Sequence, residues 1–121
     1  MTKLHIGFAR DAVRAGNTVG AEQACREGLA LLADSAELHG FLGTFYARQN
    51  RLPEAISSLE ASHRLQPNDV RTMLPLAQLY AASGRSKDAH VMLTRGEEEA
   101  RRSGQLEAAA QFTELLRQLP R

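Results

Sequence analysis

What is scarce in this sequence narrows it first. Valine and isoleucine together number six among 121 residues, and there is no tryptophan. β-Branched and large aromatic side chains are the ones that suit a pleated sheet, so a sheet-built protein is disfavoured on supply alone. A single cysteine cannot close an internal disulfide or furnish a multi-thiolate zinc site, so nothing covalent staples the fold. No stretch approaches the roughly 18 apolar residues that span a bilayer, and the opening MTKLHIGFARDAVRAG lacks the apolar core of a signal peptide. The expectation is a protein without membrane contact, in the cytoplasm. An excess of one charge is missing too. With 15 basic and 14 acidic side chains the balance is +1, too small to hold a phosphate backbone non-specifically, and nucleic acid is not the expected partner.

What is present is alanine (19) and leucine (17), both strong helix formers. The length suits one domain or one short repeat array, and the composition predicts an all-α chain. An internal period supports the array. A step of 34 links Ala21, Ala55 and Ala89, and the same step links Gly16-Asn17, Asn50-Arg51 and Gly84-Arg85. Each of these pairs begins with a residue that tolerates the left-handed conformation at a helix end, and so marks a turn. Cys25, Leu59 and Leu93 follow the alanines by four, and Phe8, Leu42 and Leu76 precede them by thirteen. Three units result, 2–35, 36–69 and 70–103, with 104–121 left over.

Each unit reads as two helices joined at its turn. In the middle unit His39, Leu42, Gly43 and Tyr46 share one face at about 100° per residue. Pro53 suits the first turn of the second helix, and Ala55, Leu59 and Ser62 continue the one-face spacing until Pro67-Asn68-Asp69 ends it. Asp69 is placed to cap the helix that follows. Gly43 and Ala55 are small, so the two axes can approach closely, which offsets the glycine's helix penalty of roughly 1 kcal/mol.

These residues resemble the tetratricopeptide repeat family, whose motif runs Leu-Gly, Tyr, Ala, an aromatic or Leu, a small residue and Pro. The middle unit matches it with Leu42-Gly43, Tyr46, Ala55, Leu59, Ser62 and Pro67. The third follows with Met73, Leu76-Ala77, Tyr80, Ala89, Leu93 and Gly96, and the first more loosely with His5, Phe8-Ala9, Ala12, Ala21, Cys25 and Gly28. The resemblance covers residues 2 to 103 and departs from the motif in two ways. No unit has the family's tryptophan, and Arg101 stands where the third unit should end in proline, so that helix is expected to run on to Ser103-Gly104. The resemblance implies a right-handed α-solenoid of three antiparallel helix pairs. Ala109, Phe112, Leu116 and Leu119 make 104–121 a seventh, capping helix. Because Thr2 already begins a repeat, either the first helix is partly exposed or the chain is a piece of a larger protein.

Residues that bear chemistry do not assemble into a catalytic pattern. Cys25 occupies a position that is leucine in the other units, which makes it core. His5 and His39 are equivalent, but the third member of that set is Met73 and no carboxylate accompanies them, so packing is expected and no metal or cofactor. There is no GxGxxG, Walker-type loop or HExxH. Glu97 to Glu99 with Arg101-Arg102 fit a run of ion pairs along one solvated helix face. Pro75 lies inside a helix, where it forfeits the bond to the Arg71 carbonyl.

The resemblance implies that the first helices of the pairs line a concave surface with their outward sides. Those sides carry Lys3, Ile6, Gly7, Arg10, Val13 and Arg14 in the first unit. The second contributes Glu37, Gly40, Phe41, Thr44, Ala47 and Arg48, and the third Arg71, Leu74, Pro75, Gln78, Ala81 and Ala82. Five basic residues against one acid segregate positive charge there, interspersed with apolar Ile6, Val13, Phe41 and Leu74. The expected role is a non-catalytic protein-interaction module, an adapter, scaffold or chaperone-like protein. Its groove, formed by Ile6, Arg10, Val13, Arg14, Phe41, Thr44, Arg48, Arg71, Leu74 and Gln78, would hold a peptide or helix of a partner. That partner would combine apolar anchors with acidic side chains or a C-terminal carboxylate, Arg10, Arg48 and Arg71 gripping the acids. The family's groove for acidic chaperone tails is not expected, because of its charged positions only Arg71 is kept. A docking segment of an enzyme and a helical-repeat RNA binder are the alternatives, and a monomer or weak homo-oligomer is the expected state.

Overall fold

The computed structural model describes residues 10, 14, 16, 18–32 and 34–119. Among the described residues there are six α-helices and no strand: α1 (Thr18–Leu31), α2 (Ala36–Arg48), α3 (Leu52–Leu65), α4 (Val70–Ala82), α5 (Ser86–Arg102) and α6 (Leu106–Gln118). The expected first helix lies mostly outside the described residues, although 10 and 14 are helical. Two compact units, Met1–Leu65 and Gln66–Arg121, hold α1–α3 and α4–α6 respectively.

The turns follow from the residues that end each helix. Asn50, Gly84 and Gly104 have φ of 59°, 78° and 78°, the left-handed region that glycine and asparagine enter most easily. Just beyond them, the N–H groups of Arg51, Arg85 and Gln105 reach back to the carbonyls of Tyr46, Tyr80 and Ala100, at 3.0, 2.8 and 2.8 Å. Those bonds satisfy carbonyls that the helix end leaves without a partner, and they reverse the chain into the next helix. At the first two turns the guanidinium of Arg51 and of Arg85 also lies 4.4 Å from the ring centre of Tyr46 and of Tyr80.

In the first unit, α2 and α3 pack as an antiparallel hairpin. Leu38, Leu42, Gly43, Phe45 and Tyr46 are buried on one side, and Ala55, Ile56, Leu59 and Ser62 on the other. A methyl carbon added at Gly43 would stand 2.6 Å from Leu59 Cγ and 3.2 Å from the Ala55 carbonyl, so the axes come as close as they do because that position has no side chain. Ser62 is buried without cost because its hydroxyl donates to the Ala36 carbonyl at 2.9 Å. From α1, Ala21 and Cys25 are wholly buried.

Glu22 ties α1 to α2 and to the turn that leads into α3. Its carboxylate accepts from the Tyr46 hydroxyl at 2.9 Å, from Arg51 at 3.3 Å and from Arg26 at 2.7 Å. Burial pushes the Glu22 carboxyl up, but the hydrogen bonds from Tyr46 and Arg51 and the charges of Arg26 and Arg51 outweigh it, leaving the group below its ordinary value.

In the second unit α5 packs against both α4 and α6. Val70, Met73, Leu76, Ala77, Leu79 and Tyr80 of α4 are buried, as are Ala89, Met92, Leu93, Gly96 and Ala100 of α5. As expected from Arg101, α5 runs on to Arg102 and breaks at Ser103 and Gly104. Its last turns carry the expected ion pairs, Arg101 with Glu97 at 3.2 Å and Arg102 with Glu99. Ala109 and Phe112 of α6 are buried, whereas Leu116 and Leu119 are half-buried. The wholly buried Phe112 ring fills the space over Gly96, where any Cβ would overlap it. Gly96 and Phe112 are 16 residues apart, as are Gly43 and Leu59, so the α5–α6 pair repeats the contact that closes α2–α3. Pro75 does not end α4, which continues through it to Ala82.

Two outcomes are expected. Gly96→Val should lower stability by about 2 kcal/mol through overpacking against a ring that has nowhere to move, and Phe112→Leu in the same chain should recover part of the loss; urea midpoints of the two singles and the double measure this. Glu22→Gln should cost about 1 kcal/mol at neutral pH. Because the folded carboxyl lies below its ordinary value near 4.5, its contribution is present above that value and lost as pH falls through the folded one. The gap between wild type and variant should therefore close in acid.

Candidate functional site

The outward sides of α2 and α4 are set by what caps each helix and by what each buries. Ser35 accepts the Leu38 N–H at 3.2 Å and opens α2. Glu37 follows in the first turn and Arg48 ends the last, each favourable beside the local end of the helix dipole. With the buried face turned to α3, Glu37, Phe41, Thr44 and Arg48 fall at steps of four, three and four along the opposite side. Glu37, Thr44 and Arg48 are exposed and Phe41 is half-buried. The Thr44 hydroxyl donates to the Gly40 carbonyl at 3.1 Å. Gly40, expected on this side, instead faces α3, where an added Cβ would sit 3.3 Å from Ser62 Oγ.

On α4, Leu74 and Pro75 are half-buried and Gln78, Ala81 and Ala82 are exposed. Arg71 is exposed but engaged. Asp69, the cap of α4, accepts the Arg71 backbone N–H at 3.0 Å, Nε at 3.1 Å and Nη2 at 3.0 Å. Burial pushes the Asp69 carboxyl up, yet the side-chain and backbone hydrogen bonds from Arg71 and its charge prevail and hold it below the ordinary carboxylate range. The expected cap is there, and it holds one of the arginines assigned to a ligand. The sequence carried that signal as Asp-x-Arg across a helix start, where cap and cation share one carboxylate.

Of the remaining expected site residues, Arg10 and Arg14 are exposed, and Ile6 and Val13 lie outside the described residues. Phe41, Thr44 and Arg48 share one side of α2, while Arg71, Leu74 and Gln78 belong to α4 of the other unit. Cys25 is buried, its thiol pushed up to about 11 by burial and by the Glu22 charge, so it is protonated and unreactive at neutral pH. Among the described residues no group of three or more His, Cys, Asp or Glu is placed to hold a metal ion, and no helix is long and apolar enough to cross a membrane.

Among curated proteins none matches this sequence. Solved structures do match the fold. The complex of the type III secretion chaperone SycD of Yersinia enterocolitica with a peptide of the translocator YopD superposes with a TM-score of 0.83 at 15% identity, covering 96% of this chain and 89% of that one. The yeast Sti1 TPR2B domain, in a pHsp70 complex, gives 0.82 at 17% identity over 94% of this chain and 91% of that one. A mutant O-GlcNAc transferase of Thermobaculum terrenum gives 0.69 at 24% identity over 80% of this chain, which spans only 19% of the transferase. The tetratricopeptide repeat family model matches residues 49–112, more than half of the chain. With α2 paired to α3 in one unit and α4 to α5 in the other, the chain belongs to the tetratricopeptide repeat family.

Proposed function

We propose that the chain is a non-catalytic protein-interaction module that holds an extended peptide or short helix of a partner protein against the outward sides of its first helices. The observation that carries this is the side of α2, where half-buried Phe41 stands two turns from exposed Arg48, with Thr44 between them. A half-buried ring offers apolar area at low entropic cost, and an exposed guanidinium offers a fork for a carboxylate. Arg48 makes no ion pair among the described residues. Two proteins of the same fold, SycD and Sti1 TPR2B, are in complex with a translocator peptide and with pHsp70, which supports a peptide-binding role. On the α4 side, Leu74 and Gln78 supply an apolar anchor and an amide. Ile6, Arg10, Val13 and Arg14 of the first repeat complete the proposed surface. The partner has apolar anchors with an acidic group or C-terminal carboxylate, the acid being taken by Arg48, Arg10 or Arg14 rather than by Arg71. An acidic-tail groove of the chaperone-binding kind is a poor fit, since Arg71 is already bound to Asp69.

A second reading, that these repeats serve as the docking segment of a larger enzyme, is favoured by the match to the O-GlcNAc transferase, in which the matching portion is a minor share of the chain. It uses the same surfaces, with a tethered partner.

The test is a cross-linked pull-down from source cells with wild type beside Phe41→Ala/Arg48→Ala, followed by calorimetric titration of the captured segment. The double variant should bind that segment with a loss of about 1–3 kcal/mol, roughly five- to 150-fold, and Arg48→Ala alone should weaken it less as salt rises. An identical set of captured proteins with both forms would remove α2 from the site.

A further inference from the structure

We propose that Asp69 determines specificity: by holding Arg71 it keeps the outward side of α4 electrically neutral, so the part of a partner lying on α4 is an uncharged, apolar segment. This rests on the reading above that the first-helix sides hold a partner.

The two capping positions make the argument. Ser35 and Asp69 are 34 residues apart and each is the N-cap of its helix. Two residues on stand Glu37 in α2 and Arg71 in α4, and at the far ends stand Arg48 and Ala82. On α2 the cap is a neutral hydroxyl, so both charges of that side remain on display, an acid at the start and a base at the end. On α4 the cap is itself a carboxylate. It receives three bonds from Arg71, two of them from the guanidinium edge in side-on fork geometry. The only cation of that side is thereby cancelled where it arises, and nothing charged follows through Leu74, Pro75, Gln78, Ala81 and Ala82.

A partner carboxylate approaching Arg71 would have to displace Asp69. It would exchange one ion pair for another, strip the cap from α4 and leave a half-buried acid beside the incoming one, so little is gained. An apolar side chain meets no such competition. Leu74 and Pro75 are already partly desolvated and offer it contact area, while the exposed Gln78 amide has both a donor and an acceptor for one peptide group of the partner's backbone. Charge matching therefore belongs to the α2 side and apolar matching to the α4 side.

The test uses fluorescein-labelled twelve-residue peptides of Leu, Ala, Ser and Gly carrying zero, two or four Asp, titrated by anisotropy up to millimolar protein. The quantity read is the ratio of acidic to neutral affinity. Arg48→Gln should lower it, and Asp69→Asn/Arg71→Gln, which removes both members of the pair and keeps the α4 side neutral, should leave it unchanged. Asp69→Asn, which keeps a good capping side chain but drops the charge, should raise it roughly twofold to fivefold. A fall with Asp69→Asn/Arg71→Gln equal to that with Arg48→Gln, or no rise with Asp69→Asn, overturns the assignment while leaving the interaction module standing. Absence of binding for every peptide overturns both. Should circular dichroism show Asp69→Asn unfolded, Asp69→Ser, the residue of the equivalent cap, takes its place in both the single and the double variant.

Discussion

The fold depends on helix axes being allowed to touch. At Gly43 the backbone of α2 lies against Leu59 and the Ala55 carbonyl, and at Gly96 the backbone of α5 lies under the Phe112 ring. Each close approach brings a large side chain into full van der Waals contact with a helix backbone, and the dispersion and burial gained there outweigh the helix propensity that glycine forfeits. The tight left-handed turns at Asn50, Gly84 and Gly104 serve the same constraint, because a longer connection would not hold the helix pair in that register. Once the inward sides are committed in this way, the outward sides of α2 and α4 carry little of the core packing, and Glu37, Thr44, Arg48 and Gln78 there are exposed. Residues there answer to solvent or to a partner.

Much of this was legible from spacing. The step of 34 found the turns because left-handed residues are few and chemically distinctive, and the inward face of α2 emerged from His39, Leu42, Gly43 and Tyr46 for the same reason that any amphipathic stripe does. The arithmetic failed at the edges of the stripe. Gly40 is assigned outward at 100° per residue, yet it rests against Ser62, because a residue without a side chain lets the partner helix come nearer than an average radius assumes. Phe45 and Leu79, one repeat apart, are buried though neither belongs to the family motif; their apolar character at equivalent positions was the available signal. At the C-terminus the stripe of Ala109, Phe112, Leu116 and Leu119 was visible, but that Phe112 would sit on Gly96 followed only from where α6 packs.

Charge was the least legible property. Counting side chains placed Arg71 with Arg48 as equivalent cations, and sequence arithmetic treats every arginine alike. The structure separates them by what lies within reach: Asp69 is held at the helix start by its duty as a cap, and from there its second oxygen meets the Arg71 guanidinium. Glu22 works in the opposite setting, joining α1 to Tyr46 and Arg51 across residues far apart in the chain. Neither arrangement is a catalytic one; both spend carboxylates on holding helices in place.

By itself the sequence determined the helical class, the repeat length, the turn positions and the family, because these are local properties carried by periodicity and by a few residues with unusual backbone freedom. The three-dimensional structure decided which small residues lie under which large ones, which carboxylates are engaged by neighbouring cations, and so which charges remain on the outward sides. The packing and the Glu22 bonds depend on distances between residues remote in sequence, and even the pairing of Arg71 with Asp69, two residues away, depends on the cap geometry that brings both oxygens within reach of the guanidinium.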